Sequence, residues 1–122
     1  MGLLSQAPAP QLGWVYDMPG ALYDSTDRGG HPVLVVSLDP DLGVAEVVTR
    51  TTKIHAKGRP FVAHPVQPDL GLRELGWWRV QWPHRVPFAH FADPEAQAVG
   101  PIDDMTWRRV QTALASPPGG PR

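Results

Sequence analysis

A chain of 122 residues with 42% hydrophobic content and five tryptophans carries enough apolar surface for one modest core, so its 15 prolines and 12 glycines punctuate short elements rather than signal disorder. A formal net charge of −1 gives no global attraction to an anionic partner, and any nucleic-acid surface must be a local patch. The absence of cysteine excludes disulfides and thiolate zinc sites. With no apolar run near ~20 residues and no basic stretch in "MGLLSQAPAPQ", a cytoplasmic protein without a membrane span or signal peptide is expected.

Residues 1–11 read as a loose tail, 12–115 as one domain, and 116–122, "SPPGGPR", as a second tail. "GWVYDM" (13–18) reads as a short strand, followed by a polar, glycine-rich loop over 19–30. "PVLVVSL" (32–38) is a continuous apolar run, expected of a strand buried on both faces or set at a barrel core. "DPDLG" (39–43) is a turn, with Pro40 fixing φ and Gly43 free to take φ > 0, and "VAEVVTRTT" returns as the partner strand. "RPFVAHPV" (59–66) is a further strand cut short by Pro65, and "PDLGLRELG" is a loop. "WWRVQW" (77–82) alternates in part, placing Trp78, Val80 and Trp82 inward and leaving Trp77 as an exposed platform. "RVPFAHF" offers one more short strand.

A single helix is expected in "PIDDMTWRRVQTALA", with Asp103 or Asp104 as its N-cap and Trp107, Val110 and Leu114 as its apolar stripe. Five or six short strands and a C-terminal helix imply a mainly β protein, a small antiparallel barrel.

In this order the elements resemble the MazF/PemK-like toxin family. The resemblance rests on "GWVYDM", the glycine-rich loop before "HPVLVVS", a strand ending in threonines, "LGLRELGWWRV" and the terminal "VGPIDDMTWRRVQTAL", and spans roughly residues 12–115. It implies an SH3-like barrel, a homodimer, and a metal-independent endoribonuclease that cuts single-stranded RNA under the control of an antitoxin peptide. The family pattern has an Arg directly before the Pro of the "PVLVV" strand, serving the cleavage, and a Thr at the end of the next strand, holding the phosphate. Here Thr49, Thr51 and Thr52 stand at the strand end, but His31 occupies the place of the Arg, with Arg28 three residues before it.

Cleaving RNA through its own 2′-OH takes a base, an acid for the leaving 5′-oxygen, and donors for the charge on phosphorus. His31 has the right chemistry for acid or base. Arg50 or Arg28 would clamp the phosphate, Thr51 and Thr52 would donate hydroxyls or backbone N–H, and Lys53 would add a point charge. Thr49, Trp77 and Arg79 complete a substrate-binding set, since aromatics beside cations suit base stacking and phosphate contact. Each piece also has an ordinary reading: His31 as a solvated loop residue, the threonines as exposed strand residues, the tryptophans as core. His55, His64, His84 and His90 lack metal-ligand spacing, so neither metal nor cofactor is expected. A small-molecule enzyme finds no support, there being no phosphate loop, nucleophile elbow or telling pair of carboxylates. The alternative is a barrel with weakened or lost catalysis that binds RNA or a protein partner as a regulatory module.

Overall fold

The computed structural model describes residues 7–23, 30–53 and 61–115. In chain order these form β1 (Trp14–Pro19), β2 (Gly30–Asp39), β3 (Val44–Thr51), β4 (Phe61–His64), β5 (Gly76–Arg79), β6 (His84–Pro87), β7 (Gln97–Pro101) and α1 (Asp104–Ala115), with short 3-10 turns at Gly20–Tyr23, Pro68–Leu70 and Phe88–Ala92. The seven strands make one sheet in the order β4-β5-β3-β2-β1-β7, with β6 added beside β3. All the pairings are antiparallel.

The β2–β3 hairpin forms as its turn residues dictate. Asp39 Oδ1 accepts from Leu42 N at 3.2 Å, and Gly43 takes φ 66°, where a side chain would be strained. Both strands of the hairpin are buried on both faces. Val15, Leu34, Val36, Val48, Val62 and Trp78 belong to one apolar cluster, completed by Leu70, Leu72, Val80, Ile102 and Val110. Tyr16, Met18, Val33, Val35, Ala45 and Val47 belong to a second, closed by Tyr23, Val86 and Phe88. Alternation along each strand sorts these side chains to opposite faces, which we call the α1 face and the β6 face.

The protein is mainly β with a C-terminal helix, as expected, but its ladder stays open. The end strands β4 and β7 are not paired. Side chains bridge the gap instead: Gln67 Nε2 donates to Pro101 O at 3.3 Å, and α1, which follows β7, packs on β4. β7 itself was not foreseen, because "QAVGP" has neither apolar alternation nor β-rich composition. The "WWRVQW" strand stops at Arg79, where a turn closes with Trp82 N donating to Arg79 O at 3.1 Å. Trp82 is thereby turned out to 46% exposure while Trp78 and Val80 stay buried, so the expected inward trio holds for two members only. In α1, Val110 and Thr106 are buried and Trp107 lies against Gly13, whereas Leu114 is 38% exposed and does not continue the stripe. No helix among the described residues is long and apolar enough to cross a membrane.

Candidate functional site

Register decides which of the sequence-derived residues share a face. The β2–β3 ladder runs to the pair Val33–Thr49, on the β6 face. Two positions further along each strand stand His31, opposite Met18 of β1, and Thr51, opposite Trp77 of β5. The start of β2 and the end of β3 therefore lie on one rim, with Thr51 between His31 on one side and Trp77 on the other. Trp77 is in turn opposite Ala63, and Arg79 opposite Phe61. By alternation His31, Thr49, Thr51, Trp77, Arg79 and Phe61 all point to the β6 face. Phe61 meets the exposed Trp82 edge-on at 5.8 Å, which extends the aromatic surface beyond Arg79.

Thr51 shapes the strand end. Its Oγ1 accepts from Lys53 N at 3.1 Å and donates to Lys53 O at 2.9 Å, a turn that leaves Thr52 and Lys53 exposed. Thr49 and Trp77 are half-buried and Arg79 is exposed. Arg28 and His55 lie outside the described residues. Among the described residues no three of His, Asp and Glu converge as a metal site.

Arg50 points the other way. Between Thr49 and Thr51 it alternates to the α1 face, where Nε donates to His64 Nδ1 at 3.1 Å. Its Nη2 donates to His64 O at 3.1 Å and to Glu74 O at 2.8 Å. The guanidinium lies 6.0 Å from the Trp78 ring centroid. Burial lowers its pKa from the ordinary value and nearby Glu74 opposes this. Gly76 makes the arrangement feasible, because a Cβ there would sit 2.5 Å from Arg50 Cζ. Gly76→Ala is expected to displace the guanidinium and cost about 1–3 kcal/mol, as overpacking does. Urea unfolding measures it, and an unchanged midpoint would mean that the Arg50 clamp contributes nothing.

His64 carries no signal in the sequence, since it lacks metal-ligand spacing and its partner Arg50 is distant along the chain. It is fully buried and stacks on Trp78 with centroids 5.7 Å apart. Its Nε2 donates to Gln67 Oε1 at 2.9 Å and lies 3.4 Å from Asp103 Oδ1. Asp103 Oδ2 accepts from Thr106 N and Thr106 Oγ1, each at 2.9 Å, so the α1 cap and the buried histidine share one carboxylate. Partial burial works against the Asp103 charge, but the Thr106 hydrogen bonds and His64 hold its pKa below the ordinary value.

No family model matches the sequence, and no curated protein matches it. Solved structures do match. MazF (Form-I) from Deinococcus radiodurans aligns with a TM-score of 0.61 at 18% identity, covering 88% of this chain and 94% of that one. An endoribonuclease from a mycobacterial species aligns with a TM-score of 0.61 at 20% identity, over 95% of this chain and 97% of that one. A MazE-MazF structure from Deinococcus radiodurans gives a TM-score of 0.59 at 13% identity, over 88% and 92%. The chain is thus an antiparallel β protein with one terminal helix, built on the MazF fold.

Proposed function

We propose that this protein is a toxin-type endoribonuclease that cuts single-stranded RNA on the β6 face and is restrained by an antitoxin peptide. What supports the reading is one rim of a MazF-fold sheet on which an imidazole, a pair of threonines, the Arg79 cation and an aromatic platform share a face, with Lys53 in the turn just beyond. In the reaction the 2′-OH attacks the adjacent phosphorus, the 5′-oxygen leaves, and a cyclic phosphate remains. His31 moves the proton. Thr51 or Thr52 holds a phosphate oxygen, Lys53 and Arg28 offset its charge, and Trp77 with Arg79 takes the neighbouring nucleotide. Every step is served by side chains of the chain itself. Arg50, spent on three acceptors of the opposite face, supports the strand that carries Thr51. Exposed Leu12, Leu42, Val66, Leu75 and Met105 give the protein apolar surface for a second copy, and a homodimer is part of this reading.

The commitment of Arg50, with His31 in the place of the resembled family's Arg, favours one other reading, a module that binds RNA without cutting it. Cleavage of single-stranded RNA in the presence of chelator decides between them. Wild type is expected to cut, His31→Ala to lose most of the rate, and His31→Arg to cut faster. If wild type and His31→Arg are both inert while RNA still binds, the catalytic reading is wrong.

A further inference from the structure

The buried polar cluster behind the rim joins four parts of the chain through one imidazole. β3 supplies Arg50, β4 supplies His64, the segment after β4 supplies Gln67, and the segment entering α1 supplies Asp103. The tautomer follows from the partners. Arg50 Nε–H can only donate, so His64 Nδ1 must accept and the ring proton must sit on Nε2, facing Gln67 Oε1 and Asp103 Oδ1. Of the charged groups around the ring, Arg50 belongs to β3, Glu74 to the β4–β5 connection and Asp103 to the approach to α1, whose first turn also carries the exposed Asp104. Gln67 and Trp78 are neutral.

We propose that His64, as the neutral Nε2–H tautomer, is a positioning residue that fixes Arg50 and through it the Thr51–Lys53 end of β3, and that protonation of His64 releases this hold. The purpose of the hold rests on the function proposed above, but the hold itself does not. A second ring proton would sit on Nδ1 and face Arg50 Nε–H across 3.1 Å, turning a hydrogen bond into a repulsion between two donors. Arg50 Nη2 would keep its backbone acceptors, yet the guanidinium would lose the contact that sets it over Gly76. There it steadies the short ladder in which Arg50 pairs with Trp78 and Thr51 with Trp77.

Electrostatics agree with the geometry. Burial lowers the His64 pKa from the ordinary imidazole value, the Gln67 bond opposes this, Arg50 adds to it, and Asp103 acts against it. A folded pKa below the unfolded one means that the unfolded chain binds the proton more tightly. The hold is therefore complete above about pH 6.5, the unperturbed value, and is lost as pH falls toward the lower folded value.

Nitrogen-15 NMR of the full chain between about pH 8 and pH 4.5 tests this. The Nε2–H tautomer is expected at the alkaline end, with a His64 midpoint below ~6.5. Amide protection at Thr51 and Lys53, corrected for intrinsic exchange, should fall roughly tenfold or more with that midpoint, as for loss of a bond to a charged group. Asp103→Asn keeps a competent cap but removes the carboxylate that favours the imidazolium, and should move both midpoints to lower pH. His64→Asn keeps an acceptor toward Arg50 and does not titrate, so the step should vanish. An Nδ1–H tautomer, or Thr51 and Lys53 protection that ignores His64, would overturn the proposal. In RNA cleavage the acid-side loss of kcat should shift to lower pH in Asp103→Asn, which leaves His31 untouched. A protein that cuts no RNA at any pH would refute the proposed function, while tautomer and amide exchange would still decide the hold.

Discussion

Thr51→Ala is expected to lower single-stranded RNA cleavage by about 10²–10³-fold while the fold survives, the loss seen when one preorganised donor to a developing oxyanion is removed. The side chain has two tasks. Its hydroxyl stands on the rim shared with His31, where its one proton goes to Lys53 O and its oxygen accepts from Lys53 N. It thus ties Lys53 into the turn that ends β3, and would have to exchange Lys53 O for a phosphate oxygen to serve as a donor. Thr51→Ser keeps both and should retain most of the rate. Thr52 is exposed beside it, and Thr52→Ala should show the same loss if Thr52 is the residue that holds the oxygen. Single-turnover cleavage across the three variants assigns the role. Full activity in both alanine variants would remove the threonine cluster from the chemistry.

The largest effect on stability is expected at Trp78, where Trp78→Ala should cost about 3–5 kcal/mol in urea or thermal unfolding. Trp78 is fully buried on the α1 face, stacks on His64 and lies under the Arg50 guanidinium, so its removal empties the core and leaves the polar cluster without its wall. Its indole Nε1 is buried with no hydrogen-bond partner among the described residues, and a buried donor in that state costs about 1–3 kcal/mol. Trp78→Phe deletes that N–H along with part of the ring and should be much milder than Trp78→Ala. Both variants lose the N–H, so equal costs would show that a retained phenyl ring contributes nothing and that only the whole indole fills this site.

The parts of the fold legible in the sequence were those with strong local signals. The valine run of β2, the Asp39–Gly43 turn and the β3 return announced a hairpin, and Asp103 before an apolar periodicity announced α1. β7 was hidden because its pairing with β1 comes from tertiary contact rather than from its own composition. Trp82 does not follow the inward alternation of Trp78 and Val80, because a turn at Arg79–Trp82 ends the strand before it. At the site, the period of two along β3 sets Arg50 apart from its threonine neighbours. What no count along the chain supplies is the partner. His64 lies fourteen positions away, and only the β3–β5 and β5–β4 pairings bring the two together.

That pairing has a consequence for how the sheet finds its alignment. A one-residue slip of a strand exchanges its two faces, and burial normally forbids it because one face is apolar and the other polar. β2 and β3 lack that safeguard over their middles, since Val33, Leu34, Val35 and Val36 are all buried, as are Val47 and Val48. A slipped hairpin would still hide its valines. It would, however, turn Arg50 away from His64 Nδ1 and drive Thr51 toward the Trp78 side, stranding a charge and a buried imidazole together. The Arg50–His64 pair thus penalises misalignment at the end of an otherwise ambiguous hydrophobic strand, and the order Thr-Arg-Thr at positions 49–51 carries that information.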